Sequence, residues 1–546
     1  MNQNSKDMKR HYFITYMIIM MAILSACYSD NSEEASVEVG NISISGIKEK
    51  YSAMSDNGEV LQINPVIKSD YPKKDLEYHW FLYEKSKENA STDNDGNHYE
   101  EVLISEDENL SYPVNLGVGD YTIVLRVKSL SNGCVAYQRT SLNVSTRYTE
   151  GFCILKEVNG NTELDFLSPS NEKIDNVFTR LHQAPVSGKP KSLSVVYNHA
   201  YIDPETNKAS YDHSLCVITD DRKVRFLRAP DLAVVHDEKT MFYASDGIDE
   251  VPYTSVNTTF KNLYLSSRGA YITACGDATA KPMPIGKFSH PEEPAGASPF
   301  VVKTGTYETV FWNEKNHTIY RIDMNGGIKT PSPKKNAYQE VAVENLTNYE
   351  CVSAGQTYIN YDTKLFFLFN ETSTGDKIFY RMTANWSNCT PDTMLTVNPD
   401  MHFAKATYRS YNARWASIAY CVDGGKLYAY SLNYQQDPKK SIEEIEKEAE
   451  WELKPEGIPA GEEIVYAETI YWEQFNQDRY GDSFRYLAIG TQTGDSYQLY
   501  LYNMLGGSPD GEPVKTISGT GKLKRAVYLA PKYPGNDSGP FMGYPY

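Results

Sequence analysis

The sequence predicts an all-β protein, a small β-sandwich followed by a β-propeller of about seven blades closed between its N- and C-terminal strands. Three observations carry that prediction. Short runs rich in β-branched and aromatic residues alternate with Gly-, Asn- and Asp-containing turns along most of the chain. After Glu150 one pattern recurs seven times, at intervals of roughly 50 to 70 residues: an apolar strand, a polar or glycine-bearing tip and a second strand. Finally, the first of these hairpins has no strand of its own before it, and a strand-like run near the C-terminus has no hairpin after it.

Residues 1–26 read as a signal peptide. Lys6, Lys9 and Arg10 outweigh Asp7, an apolar run extends from Tyr12 to Leu24, and Leu24-Ser25-Ala26 precedes Cys27. The run is short for a membrane span, and small residues before a cysteine form a lipobox. Cys27 is the expected lipidation site, its thiol taking a diacylglycerol and its amine a third chain, which anchors the protein to a membrane far more firmly than one acyl chain could. Residues 27–36, with Tyr28-Ser29-Asp30-Asn31-Ser32-Glu33-Glu34, read as a polar acidic tether.

Residues 37–147 read as a sandwich. Leu76–Tyr83 and Tyr121–Val127 are its clearest strands, with Trp80 as the core tryptophan and Gly119-Asp120-Tyr121 as a corner, features of immunoglobulin-like or PKD-like domains. Asp93-Asn94-Asp95-Gly96-Asn97 resembles part of a calcium loop but lacks the twelve-residue pattern, so a hairpin turn is the favoured reading and no metal site is expected.

Residues 148–531 carry the seven hairpins. They run from Phe152 to Phe166 around Asn159-Gly160-Asn161, Leu215 to Leu227 around Asp220-Asp221-Arg222, and Leu263 to Ala274 near Ser267-Arg268. The others are Val310 to Asp323 around Glu314-Lys315-Asn316, Leu365 to Met382 around Ser373–Asp376, Ile418 to Leu432 around Asp423-Gly424-Gly425, and Tyr486 to Asn503 around Thr493-Gly494-Asp495. Phe403–Tyr408 and Ile464–Thr469 read as strands preceding the sixth and seventh. Leu523–Leu529 has the same character, so it is expected to pair beside Phe152–Leu155 and remove the edges an open array would leave. A row of independent sandwiches is the competing arrangement. Lys439–Trp451 alone has a helical pattern, and residues 532–546 read as a tail.

The junction Tyr148-Thr149-Glu150-Gly151-Phe152-Cys153-Ile154-Leu155, followed by Leu164-Asp165-Phe166-Leu167, resembles the PKD-like family of Bacteroidetes lipoproteins, with Phe152 where a tryptophan is expected. That resemblance implies a PKD-like domain before a propeller-like region, an outer-membrane and cell-surface location, and an association with starch-utilisation-type TonB-dependent transporters and their lipoprotein partners. The acidic tether resembles the export signal of surface lipoproteins, with Asn31 and Ser32 interrupting it. No catalytic residues carry over from the family.

Composition limits the partners. The formal net charge is −18, near −20 once the leader's surplus of two positive charges is removed, so nucleic acid is excluded for want of a basic stripe. Eight cysteines leave seven beyond Cys27, too few and too scattered for a disulfide framework; Cys153, Cys216, Cys275 and Cys421 sit in strand-like runs where a buried thiol acts as a small hydrophobe. There is no Gly-x-Ser-x-Gly and no His-Glu-x-x-His, and among ten histidines only His199, His213 and His236 approach a cluster, so no catalytic residue, metal or cofactor is expected. An enzyme of the propeller glycoside hydrolase or lyase type would draw its carboxylates from different blades, which no motif reveals.

Two segments stand out as recognition surface. Tyr408–Trp415 and Tyr471–Tyr480 concentrate rings and guanidinium groups between a first and a second strand, which places both on one end of the propeller. Arg409, Tyr411, Arg414, Trp415, Tyr471, Trp472, Phe475 and Arg479 are the candidate ligand-binding residues, with rings to stack and arginines to fork carboxylates. A glycan, a peptide or a ferric chelate would suit them, captured as an extracellular nutrient. The alternative is that these rings wedge adjacent blades together.

Overall fold

A computed structural model describes residues 40–530 apart from internal stretches, of which 88–99, 275–286, 332–342, 434–443 and 473–483 are the longest. Cys27, the leader, the tether, Asp93–Asn97, Cys275, Phe475, Arg479 and the tail therefore lie outside the described residues. The chain divides into two compact units, one ending at Ser145 and one beginning at Thr146. Among the described residues no helix is long and apolar enough to cross a membrane.

The first unit centres on a five-stranded sheet in the order Lys50–Met54, Val135–Ser145, Gly119–Ser129, Leu76–Glu84, Val102–Ser105, with the first pair parallel. Ile42–Ser45 pairs with Val66–Ser69, and Val60–Ile63 with Leu110–Pro113. Trp80, Ile123, Leu125, Val127, Leu142, Val144 and Leu110 fill one core. The Trp80 indole N–H has to be satisfied in that core, and it donates to the Asp107 carbonyl at 2.9 Å. Tyr121 donates its hydroxyl to the Gly117 carbonyl at 2.9 Å, the tyrosine corner its position suggested.

The second unit contains seven antiparallel sheets among the described residues. In their strand order, sheet one is Lys522–Leu529, Gly151–Val158, Asn161–Leu167 and Lys173–Ile174; sheet two is Pro190–Ile202, Ala209–Thr219, Val224–Arg228 and Val234–Asp237. Sheet three is Pro252–Asn257, Lys261–Ser266 and Gly269–Ala274; sheet four is Val301–Lys303, Thr309–Asn313, Thr318–Ile322 and Ile328–Lys329. Sheet five is Tyr349–Ile359, Asp362–Glu371, Lys377–Asn385 and Asn388–Val397; sheet six is Tyr408–Tyr411, Ile418–Asp423, Lys426–Ser431 and Glu450–Leu453; sheet seven is Glu463–Ile470, Tyr486–Thr493, Ser496–Leu505 and Ser508–Thr520.

Each expected hairpin is the second and third strand of one sheet. Their tips follow turn chemistry. Asn159 and Gly160 both have positive φ, as do Gly424 and Gly425, which matches the twist of a two-residue hairpin. Lys522–Leu529 pairs with Gly151–Val158, Phe152 lying opposite Tyr528 and Cys153 opposite Val527. Strands from the two ends of the unit thus share sheet one.

The sheets bury both faces, which explains why their central strands read as continuous apolar runs rather than alternating ones. In Leu365–Phe369, Leu365, Phe367 and Phe369 join a core with Trp312 and Val310 of sheet four, while Phe366 and Leu368 join one with Tyr411 and Tyr430 of sheet six. The same contact recurs between sheets two and three through Phe226, Tyr264 and Tyr271, three and four through Leu263 and Phe311, and six and seven through Tyr420 and Leu487. One further cluster unites Leu499 and Leu501 of sheet seven, Ile154 and Phe166 of sheet one, and Leu193 and Leu215 of sheet two. Every sheet therefore packs on the next, and the seventh on the first.

Two local expectations are corrected. Residues 403–408 are not one strand: His402–Lys405 is a short helix, because the Phe403 ring stacks on Tyr430 at 4.1 Å and Phe403 and Ala404 are buried, and the strand starts at Tyr408. The helical pattern does not run through to Trp451; at Glu450 the chain becomes the outer strand of sheet six, with Ala429 opposite Trp451 and Leu427 opposite a buried Leu453.

Candidate functional site

The two recognition segments are not placed alike: Tyr408–Tyr411, with Arg409 and Tyr411, is itself the first strand of sheet six and only residues 412–415 follow it, whereas Tyr471 and Trp472 follow the first strand of sheet seven. Arg409 donates from Nε to the Phe403 carbonyl and from Nη2 to the Ala404 carbonyl, both at 2.7 Å, satisfying the end of the short helix. Burial pushes its pKa down. Tyr411 is buried, stacks on Phe366 with centroids 5.8 Å apart, and shares a 3.1 Å hydrogen bond with Ser353 Oγ. A Cβ on Gly355 would stand 2.0 Å from the Tyr411 ring, so only glycine admits this wedge between sheets five and six. Tyr471 is buried edge-on to Phe484 at 5.7 Å, and Trp472 packs edge-on to Phe152 of sheet one at 5.3 Å. Tyr411 and Trp472 therefore pack between sheets, Arg409 closes the helix before its own strand, and Tyr471 joins the core shared by sheets seven, one and two.

Arg414 and Trp415 are placed differently. They sit in the turn 412–417, organised by Asn412, whose side chain is fully buried. Asn412 Oδ1 accepts from the backbone N–H groups of Arg414 at 3.2 Å, Trp415 at 2.8 Å and Ala416 at 3.1 Å. Its Nδ2 donates to Tyr420 Oη at 2.8 Å, and that hydroxyl donates to the Gly507 carbonyl at 2.6 Å. The turn is tied to sheet five by Tyr358 N–H donating to the Ala413 carbonyl at 2.9 Å, and to sheet seven by Ala413 N–H donating to Thr469 Oγ1 at 3.3 Å. On this scaffold the Arg414 guanidinium lies 5.9 Å from the Tyr358 ring and 6.0 Å from the Trp415 ring, and the Trp415 residue is 40% exposed.

Titratable groups from different sheets also meet, a feature no linear motif could reveal. Tyr253 of sheet three donates its hydroxyl to Glu314 of sheet four at 3.1 Å, with the Lys191 ammonium of sheet two 5.0 Å above its ring. Desolvation raises the Glu314 pKa, lowers that of Lys191 and pushes Tyr253 up to about 12. Glu468 of sheet seven is buried against Arg525 at 2.6 Å and accepts from Tyr466 at 3.0 Å; burial raises its pKa despite the guanidinium. Lys156 and Asp165 form a fully buried ion pair at 2.6 Å within sheet one.

Of the three histidines, His199 and His236 come together, their ring centroids 5.9 Å apart, while His213 packs on Tyr197. Desolvation takes His199 down to about 3 and His236 to about 4. Among the described residues no group of three or more His, Cys, Asp or Glu is placed to hold a metal. The described cysteines Cys134, Cys153, Cys216, Cys351, Cys389 and Cys421 are free thiols, and all but Cys134 are buried.

The PKD-like family model matches residues 27–190. No curated protein matches the chain. Among solved structures, a quinonprotein alcohol dehydrogenase-like protein from Bacteroides thetaiotaomicron is similar at 12% identity with a TM-score of 0.35, over 90% of this chain and 99% of that one. The dihydro-heme d1 dehydrogenase NirN is similar at 10% identity and a TM-score of 0.33, over 70% of this chain and 75% of that one. A DUF4784 family protein from Bacteroides caccae is similar at 10% identity and a TM-score of 0.27, over 74% and 96%.

Proposed function

We propose that the protein is a cell-surface lipoprotein, anchored in the outer membrane through Cys27, that serves as an accessory binding or scaffolding component of a nutrient-uptake system. In this reading the seven sheets are the blades of one propeller, closed where Lys522–Leu529 joins Gly151–Val158, and the anchored ring works beside a TonB-dependent transporter and its lipoprotein partner. The lipobox supports the anchor. Sheets that pack in cyclic order support the closed ring. The observation that carries a binding role is the 412–417 turn, where a buried asparagine fixes the backbone and a 40% exposed indole lies beside a guanidinium.

The ligand is an extracellular nutrient, a glycan, peptide or ferric chelate, held without chemical change. A hydrolase or lyase is the second reading, and the Lys191, Tyr253 and Glu314 group favours it, since a depressed lysine beside a raised carboxylate is the pairing acid–base chemistry uses. Incubating the mature protein with candidate polymers and assaying for reducing ends, unsaturated sugars and new amines separates the two. Steady product formation abolished by Glu314→Gln would establish the enzyme and end the binding reading; ligand retention with no product supports binding.

A further inference from the structure

We propose that Lys156 and Asp165 condense into an isopeptide bond, a side-chain amide that cross-links two neighbouring strands of sheet one. The modification is independent of the binding reading above. Lys156 is the first observation. Lysine is almost never fully buried without strong compensation, yet Lys156 is 0% exposed, the one lysine in the core among the described residues. The Asp165 carboxylate, also 0% exposed, stands 2.6 Å from the ammonium, which among the described residues has that ionic contact and no hydrogen-bond partner. Strand register brings the two together. Asp165 lies opposite Ile154 and Glu163 opposite Lys156, so the lysine and the aspartate share one face on a cross-strand diagonal. Gly521 lets the backbone pass close over the lysine stem, since a Cβ there would stand 3.1 Å from Lys156 Cδ. The same two strands supply Ile154, Leu155, Leu164 and Phe166 to an apolar core.

The setting of Asp165 is the second observation. Its Oδ1 accepts from the Asn176 backbone N–H at 2.8 Å, and its Oδ2 accepts from the hydroxyl of Tyr497, a fully buried residue of sheet seven, at 2.7 Å. Two donors draw electron density from the carboxyl carbon, which prepares it for an attacking amine. Desolvation raises the energy of two opposed charges, so the first step passes one proton from Nζ to the carboxylate and leaves a neutral amine beside a neutral acid. The amine lone pair then attacks Cγ: the Nζ–Cγ bond forms and the Cγ–Oδ2 bond breaks. Of the three ammonium protons one stays on the amide nitrogen and two depart with Oδ2 as water. Tyr497 is the catalytic residue, giving a proton to Oδ2 and recovering one from Nζ, while the Asn176 N–H holds Oδ1 as it becomes the amide carbonyl. The product carries no charge, and a site closed to solvent opposes its hydrolysis. Lys173 Nζ also lies 3.9 Å from Oδ2, but it is partly exposed and paired with Asp175, so Lys156 is the nucleophile.

The test is peptide mapping of the detergent-solubilised full mature chain by mass spectrometry after denaturation. An unlinked chain yields tryptic peptides 148–156 and 157–173, whereas the linked chain should yield one peptide, 148–173, uncut at Lys156 and lighter than its sequence by one water. Cleavage after glutamate should leave 151–157 joined to 164–172, which separates the bond from any cyclisation at Asn159-Gly160 in the intervening peptide 158–163. Lys156→Met removes the amine and should restore the sequence mass of 148–173. In pulse-labelled cells Tyr497→Phe should form the bond about a hundredfold more slowly. The decisive map is made on the parent, so it stands even where a variant fails to fold. Recovery of 148–156 and 157–173 as separate peptides at full mass, a water loss that persists in Lys156→Met, or a link through Lys173 would each overturn the proposal. Bond formation at the parent's rate in Tyr497→Phe would overturn the role given to that hydroxyl.

Discussion

Arg525→Met removes the positive half of the seam between the last sheet and the strand that completes the first. Arg525 and Glu468 are 3% and 6% exposed, their charged atoms 2.6 Å apart, and Tyr466 also donates to the carboxylate. Loss of one partner from such a pair leaves an uncompensated buried charge and costs about 3–5 kcal/mol. The sign with pH follows from Glu468, whose folded pKa is raised above its ordinary value by burial even with the arginine present. A raised carboxylate is neutral, and harmless, at low pH. The variant's deficit should therefore be smallest below about pH 4.5 and grow as pH rises through the folded value. The paired replacement Glu468→Leu with Arg525→Met should recover most of the loss, because apolar groups of similar size need no partner. Urea unfolding of the soluble mature chain, followed by circular dichroism and tryptophan fluorescence, gives the comparison. A single variant within about 1 kcal/mol of the parent at pH 7.5, or a double variant no better than the single, would refute the reasoning.

Other outcomes follow from the same structure. His199 and His236, buried with folded values near 3 and 4, are neutral in the native state, and neither His236 ring nitrogen has a hydrogen-bond partner among the described residues. Their contribution to stability is complete above about pH 6.5 and is lost as pH falls toward 4, about 2 kcal/mol each between pH 8 and pH 5; His236→Phe should halve that slope in unfolding measurements across pH. Gly355→Ala puts a methyl into the Tyr411 ring and should destabilise the second unit by about 1–3 kcal/mol in thermal melts, but should cost much less in a Tyr411→Ala background, where the ring it meets is gone. Cys27→Ala should shift the protein from the outer-membrane fraction to the soluble fraction, and persistence in the membrane at high salt would count against the lipid anchor. Protease treatment of intact cells should digest the anchored protein, and protection would place it in the periplasm.

Strand periodicity made much of the architecture legible. Hairpin tips such as Asn159-Gly160 and Gly424-Gly425 encode their own turn geometry, and the missing first strand pointed to Leu523–Leu529 because a buried strand cannot be left without a partner. Residues 403–408 read as a strand because Phe403 and Ala404 are as apolar as one, and a helical turn is favoured by groups from further along the chain: Tyr430 stacks on Phe403, Arg409 takes the last carbonyls and Glu450 the first N–H groups. The rings of the candidate site were visible as composition, whereas their division was not. Tyr411 and Trp472 are drawn into seams by Phe366 and Phe152, partners in other sheets, and Tyr471 packs on Phe484 from its own connection, while Asn412 fixes the turn that carries Trp415. Lys191, Tyr253 and Glu314 come from three sheets and carry no local signal at all.

The closed-ring reading of the second unit rests on strands from its two ends lying side by side, and one substitution tests that pairing. Cys153 stands opposite Val527 across the seam. Directly opposed residues of an antiparallel pair have Cα atoms about 4.5–5.5 Å apart, within the range a disulfide spans. Val527→Cys, refolded in an oxidising glutathione buffer and digested without reduction, should yield a single peptide pair linking the Cys153 strand to the 522–529 strand, with the melting temperature raised over the reduced form. A correctly folded Val527→Cys protein in which both thiols stay free, or in which the introduced thiol pairs with any cysteine other than Cys153, would contradict the closed ring.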